Sequence, residues 1–256
     1  MEMTTSADGT TIAFERTGNG PAVVIVGGAF SVAADGRPLA EALVDAGFTA
    51  VTVDRRARGS SGDRRGSTPA DEVADLAAVV DAVGGEAIAL GHSSGAVLAL
   101  YAASEGVPFR ALFLSEPPFR FGVDEPDPRL GDRLQAMVDA GERGEAVVTF
   151  QLEGVELPPA MVEQIRQSEQ FDALVALAQS TVYDATLARL FSTPTDEMRA
   201  VAPVTILRGE QTFPVLVTAA DRLAEAMPHA ELVIVPESVM HRPDPAATAR
   251  VVRERV

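Results

Sequence analysis

The chain has 256 residues, no cysteine and a net charge of −16; that is length enough for one large domain, with no disulfide or thiolate metal site and a field that repels nucleic-acid phosphates. Hydrophobic residues make up 46%, and no apolar run nears the about 20 residues that cross a bilayer, so a globular chain without a membrane segment is expected. Three histidines argue against a histidine-rich metal site, nothing calls for a cofactor, and the polar start Met1–Thr11 lacks a signal pattern, which makes the cytoplasm the default location.

Alternation over Thr11–Arg16 predicts a strand, stopped by the turn signal Thr17-Gly18-Asn19-Gly20-Pro21. Ala22–Val26 is a continuous apolar run, as in a strand buried on both faces. Leu39–Ala46 has helical spacing and closes at Gly47, a C-terminal helix signal. Phe48–Val53 predicts another buried strand, and Ala70–Val83 an amphipathic helix ending at Gly84-Gly85. Ala87–Leu90 and Ala111–Leu114 read as strands, with a helix over Ala96–Ser104 between them. Val204–Leu207 and Leu232–Val235 are two more strands around a helix at Arg222–Met227, and Ala246–Arg253 predicts a last helix. Strands alternating with helices imply a mostly parallel sheet covered on both faces. The stretch from about Gly122 to Arg199 breaks this rhythm with helical patches at Arg129–Ala140, Pro159–Gln167, Phe171–Ala178 and Asp184–Phe191. It reads as an inserted helical cap. The expected division is therefore core over 1–121 and 200–256, and cap over 122–199.

The segment Gly91-His92-Ser93-Ser94-Gly95 joins a strand to a helix through a very tight turn. Its glycines permit close packing, and the turn lifts the Ser93 hydroxyl above the sheet edge, at a helix N-terminus. A serine is a weak nucleophile at neutral pH and needs a base, itself oriented by a carboxylate. His92 adjoins the serine, and neighbouring side chains on a tight turn diverge, so it is read as packed beside the elbow. His229 is read as a surface turn residue. His241 follows the last strand, and the C-terminal ends of parallel strands share one edge of the sheet. It is the histidine with a topological reason to meet Ser93. The N–H of Ser94 is one candidate donor for an oxyanion, and the loop Gly27-Gly28-Ala29-Phe30 is the source of another.

These pieces resemble the α/β-hydrolase fold family over nearly the whole chain. The matching parts are Val23–Phe30, the turn Asp54-Arg55-Arg56-Ala57-Arg58-Gly59, the Ser93 elbow, and Pro203–Gly209 followed by the His241 loop. The resemblance implies an eight-stranded, mostly parallel sheet flanked by helices. It points to the Ala29 N–H as second oxyanion donor, with Gly28 letting the backbone approach, and to a structural role for Asp54 and Arg55-Arg56. Most of the family places its acid just after the seventh strand, where this chain has Gly209-Glu210-Gln211-Thr212-Phe213 and Thr212 stands in the usual aspartate position. Some members, the fungal zearalenone lactonases among them, are similar in carrying a glutamate after the sixth strand and a Gly-x-Ser-Ser-Gly-Ala elbow. Glu116 in Leu114-Ser115-Glu116-Pro117-Pro118 fits that place. It is the preferred acid, with Glu210 second; capping a loop or pairing with Arg120 is the alternative for Glu116.

The function this implies is a serine hydrolase of a carboxylic ester or lactone, with Ser93, His241 and Glu116 as triad. A cofactor-free perhydrolase or haloperoxidase-like activity uses the same residues. A non-hydrolytic protein on this fold is the third reading, favoured by Thr212. An apolar cap suggests a small, apolar, uncharged substrate. Met137, Phe150, Met161, Phe171 and Tyr183 are expected on the cap's inner face, and Glu153–Pro159 is expected to be a hinge.

Overall fold

The computed structural model describes residues Met1–Val256. Eight strands form one sheet: β1 (Glu2–Thr5), β2 (Thr11–Thr17), β3 (Ala22–Val26), β4 (Thr49–Val53), β5 (Ala87–His92), β6 (Phe109–Ser115), β7 (Val204–Gln211) and β8 (Glu231–Val239). Their spatial order is β1-β2-β4-β3-β5-β6-β7-β8. The β1–β2 and β2–β4 pairs are antiparallel, and the other pairs are parallel. β1 has a polar sequence with partly exposed residues; that is why hydrophobic patterning missed it.

The apolar runs are continuous because each strand is buried on both faces. Val24 and Val26 of β3 enter one core cluster, while Val23 and Ile25 enter another. Ala87 and Ala89 of β5 join the first cluster, and Ile88 and Leu90 the second. Side chains alternate across the sheet, so neighbours in sequence serve different cores. The first core is closed by α2 (Pro69–Ala82), α3 (Ser94–Ser104) and α10 (Pro214–Ala226), and the second by α1 (Arg37–Asp45) and α11 (Pro245–Arg253). The helices are those predicted, with α10 beginning well before Arg222.

Between β6 and β7 the chain makes only helices: α4 (Leu130–Asp139), α5 (Arg143–Thr149), a π-helical turn (Phe150–Gly154), α6 (Pro159–Arg166), α7 (Phe171–Ala176), α8 (Ala178–Leu190) and α9 (Asp196–Ala200). α4, α5, the π turn and α8 share a third apolar cluster with Leu134, Val147, Phe150 and Val182 at its centre. Short α5 and α9 were not separable from loop by periodicity.

β3 lies between β4 and β5, so the chain's direction of winding reverses there. The loops after β3 and β5 leave the sheet on either side of that reversal, where an open parallel sheet forms a crevice. Register brings the two loops together: Val26 of β3 pairs with Gly91 of β5.

Candidate active site

The elbow is built by close backbone approach. A Cβ on Gly91 would lie 2.5 Å from the Ala96 Cα, and one on Gly95 would lie 2.2 Å from the Val26 carbonyl oxygen. Neither position admits a side chain without moving backbone. Between them Ser93 sits at φ 53°, ψ −126°, a conformation a non-glycine residue holds only when its surroundings enforce it. Its N–H donates to the Ser115 carbonyl at 2.9 Å, which ties the elbow to the end of β6.

Glu116 and His241 meet at the same rim. Glu116 follows β6 directly, and its N–H donates to the Leu207 carbonyl of β7 at 2.9 Å. Its carboxylate is 4% exposed. Oε1 accepts the Gly209 N–H at 2.9 Å, and Oε2 lies 2.5 Å from His241 Nδ1. Burial pushes the carboxyl pKa up, but the bonds from His241 and Gly209 outweigh it, and the net direction is down. Glu116 is therefore an acceptor, and the Nδ1 of His241 is the ring nitrogen that faces it, leaving Nε2 free of this bond. His241 is held after β8 by the Met240 N–H, which donates to the Gln211 carbonyl at 2.8 Å. Glu116 is at φ 48° and His241 at φ 62°, so all three residues singled out for the triad have left-handed backbone. Such strain clusters where geometry is over-determined for function.

Ser93, His241, Ala29 and Ser94 border one cavity of about 610 Å³. Gly28 is the reason the loop after β3 comes so near. A Cβ there would lie 2.8 Å from the Ser93 Cβ and 3.1 Å from the His92 carbonyl oxygen. Phe30, at φ 59°, then turns the loop toward the helices and meets Phe150 edge-on at 5.6 Å.

Other residues fall elsewhere. His92 packs against His241, with ring centroids 4.5 Å apart, and burial first and His241 second push its pKa down to about 3. His229 is exposed, its Nε2 2.8 Å from the Val201 carbonyl oxygen. Glu210 is exposed and pairs with nothing, and Thr212 brings no charge to the site. Arg120 pairs with Glu156 and not with Glu116. Asp54 braces two loops, its carboxylate accepting the Ala33 N–H at 2.6 Å and the Ser60 N–H at 2.8 Å. No group of three or more His, Asp or Glu side chains comes together to hold a metal ion.

The sequence profile of the Alpha/beta hydrolase family matches residues 22–251. The chain belongs to that family. It is 39% identical to an alpha/beta hydrolase from Sphaerobacter thermophilus whose crystal structure superposes with a TM-score of 0.90, covering 99% of each chain. It also shares its fold with a thermophilic esterase from Thermogutta terrifontis (21% identity, TM-score 0.67, 99% of this chain and 96% of that one). An enol-lactonase from Burkholderia xenovorans is similar too (16% identity, TM-score 0.69, 99% and 98%). No curated protein matches the chain.

Behind the elbow lies a charged cluster in which Arg55, expected to be structural, finds partners that sequence patterning missed. Arg55 grips Glu72 of α2 with two bonds of 2.8 and 2.9 Å and reaches Asp184 of α8 at 3.0 Å. Arg58 donates to the other Asp184 oxygen at 2.6 Å, and the Ser94 hydroxyl donates to Asp184 Oδ1 at 2.9 Å. All four charges are buried. Burial pushes the Asp184 carboxyl up, yet Arg58 and Arg55 pull it further down; the Arg58 pKa is lowered by burial and by Arg55 beside it. Two cations and two anions balance, and the cluster joins the inserted helices to the elbow. One acid within Val182-Tyr183-Asp184-Ala185 reads from sequence as a solvent-facing residue; only packing reveals its partners.

Two expectations for the insertion need correction. Met161 is 39% exposed and does not line an inner face. Phe150 does line the cavity, whereas Tyr183 packs in the third cluster and bonds Asp63 through its hydroxyl at 2.7 Å. The segment Glu153–Pro159 was expected to be a hinge, yet Gly154–Pro158 form a wall of the cavity. Proline and glycine content marks a turn; it does not tell whether that turn faces a ligand or solvent.

Proposed function

We propose that the protein is a serine hydrolase of carboxylic esters or lactones. Ser93 attacks the carbonyl as His241 Nε2 takes its proton. The developing oxyanion is received by the N–H groups of Ala29 and Ser94. His241 then protonates the leaving alcohol, and water repeats the sequence on the acyl-enzyme. Glu116 holds the imidazole in the required tautomer and offsets its charge once protonated. The helices of 122–199 serve as a cap over the site, and a small molecule in a cytoplasmic setting completes the reading. The solved relatives include an esterase and an enol-lactonase, which fit the same chemistry. Leu130, Phe150, Leu157 and Leu216 on the cavity wall suit a largely apolar substrate body.

The observation that carries this reading is the pairing of Glu116 with His241 at 2.5 Å. Thr212 removes the usual acid, and that gap favoured a non-hydrolytic protein; a buried carboxylate from the neighbouring strand already sits on the imidazole, so the gap no longer does. The test is a panel of acyl esters and lactones with wild type and Ser93→Ala in parallel. Hydrolysis of at least one member by wild type, lost by about 10⁴-fold or more in the variant, is expected. Equal rates for both proteins would overturn it.

A further inference from the structure

The wall of the cavity carries three arginines, Arg120, Arg189 and Arg242, in a chain of net charge −16. The carboxylates on the same wall are Asp127, Glu156 and Asp184. Asp184 is committed to Arg55 and Arg58, and Asp127 to Arg129 and Arg133. Arg189 and Arg242 are exposed and pair with no carboxylate. Glu156 alone answers the three guanidiniums, at 3.0 Å from Arg120. On this wall, then, Arg189 and Arg242 have no carboxylate partner and Arg120 has one.

Arg120 is held differently from a surface arginine. It lies four residues past Glu116 on the loop after β6, and its N–H donates to the Ser192 carbonyl at 2.8 Å. Its side chain is only 12% exposed, yet its guanidinium makes a single polar contact, with Glu156. A guanidinium has five N–H donors in a planar fork, so most of them have no protein acceptor. Glu156 is a weakly anchored partner, its side chain 45% exposed and its backbone at φ 61°. An ion pair of that kind contributes little to stability. A guanidinium whose stem is covered while its nitrogens still reach solvent, facing the cavity and met only by a loosely held carboxylate, is suited to exchange that carboxylate for another. The fork geometry favours a carboxylate, which it can grip with two parallel bonds.

We propose that Arg120 receives a free carboxylate carried by the substrate, so that the ester or lactone taken by this cavity is an acid-bearing one, and that Glu156 stands in for that carboxylate. The inference rests on the hydrolase reading above for what is cleaved, but the Arg120 contact can be measured without turnover. It also departs from the uncharged substrate that an apolar cap suggests.

The experiment is calorimetric titration of full-length Ser93→Ala with the monomethyl esters of succinic, glutaric and adipic acids and with the corresponding dimethyl esters. At least one mono-acid should bind about tenfold or more tighter than its dimethyl ester. Adding Arg120→Gln should erase that preference, and Arg120→Lys should keep part of it. Glu156→Gln should tighten mono-acid binding severalfold, which a purely structural ion pair would not do. Mono-acids that bind no tighter than diesters, a preference that survives Arg120→Gln, or no binding of either series would overturn the inference. If Arg120→Gln does not fold, the Glu156→Gln titration decides, and absence of tightening overturns it. Turnover separates the two readings. Wild type that hydrolyses neutral esters without favouring acid-bearing ones sinks this inference alone. Arg120-dependent binding in a protein that cleaves no ester sinks the hydrolase reading alone.

Discussion

At the rim of the sheet, strand register brings Ser93, Glu116 and His241 to one edge; in the inserted helices, the residues that reach the cavity are chosen by packing. β5, β6 and β8 end on one edge, and each of the three residues follows one strand end within a few positions. The helices between Leu130 and Ala200 share no such frame. There Phe150 reaches the cavity and Met161 faces solvent, although both read as cap hydrophobics. Backbone hydrogen bonding thus fixes where the three rim residues lie, while side-chain packing fixes which residues form the cavity wall.

The comparison is tested most strongly at the rim. Glu116→Gln keeps the shape but removes the charge that stabilises the imidazolium, so kcat should fall by about 10³–10⁴-fold with the melting temperature little changed. Glu210→Gln, at the exposed end of β7, should alter kcat by no more than about twofold. The reverse pattern would move the acid to the end of β7.

Asp184→Ala probes the joint between the two regions. It leaves Arg55 and Arg58 buried with one fewer anion, and the expected loss is about 3–5 kcal/mol in urea unfolding. Loss below about 1 kcal/mol would mean that the insertion is held mainly by its own apolar cluster.

These two tests also mark what the sequence made legible. Ser93 and His241 were readable because a tight turn between strand and helix, and a loop after the last strand, each have one place on a parallel sheet. Glu116 was readable as a preference, since Leu114-Ser115-Glu116 ends a strand beside the one that lacks its acid. Arg55 was readable as structural, but its partners Glu72 and Asp184 were not, because they lie far from it in sequence and each resembles a solvated charge. Glu156 was masked by the prolines around it, which signal a turn whatever the turn faces. β1 was missed because an antiparallel edge strand, half exposed, needs no apolar pattern.

His92 acts through pH. Its folded-state pKa of about 3 lies below the ordinary 6.5, so between these values the unfolded chain binds a proton that the folded chain refuses. The stability it contributes is complete above pH 6.5 and is lost as pH falls toward 3, by at most about 1.4 kcal/mol for each pH unit. His92→Asn should flatten the acid limb of a stability–pH curve over that window. An unchanged slope would mean that the His92 ring is wetter than its packing against His241 implies.

If Ser93 is an activated nucleophile, a fluorophosphonate probe with peptide mapping reads it directly. One adduct is expected, on Ser93, absent from Ser93→Ala and formed more slowly in Glu116→Gln. Folded wild type that takes up no probe, or an adduct elsewhere that survives Ser93→Ala, would contradict it.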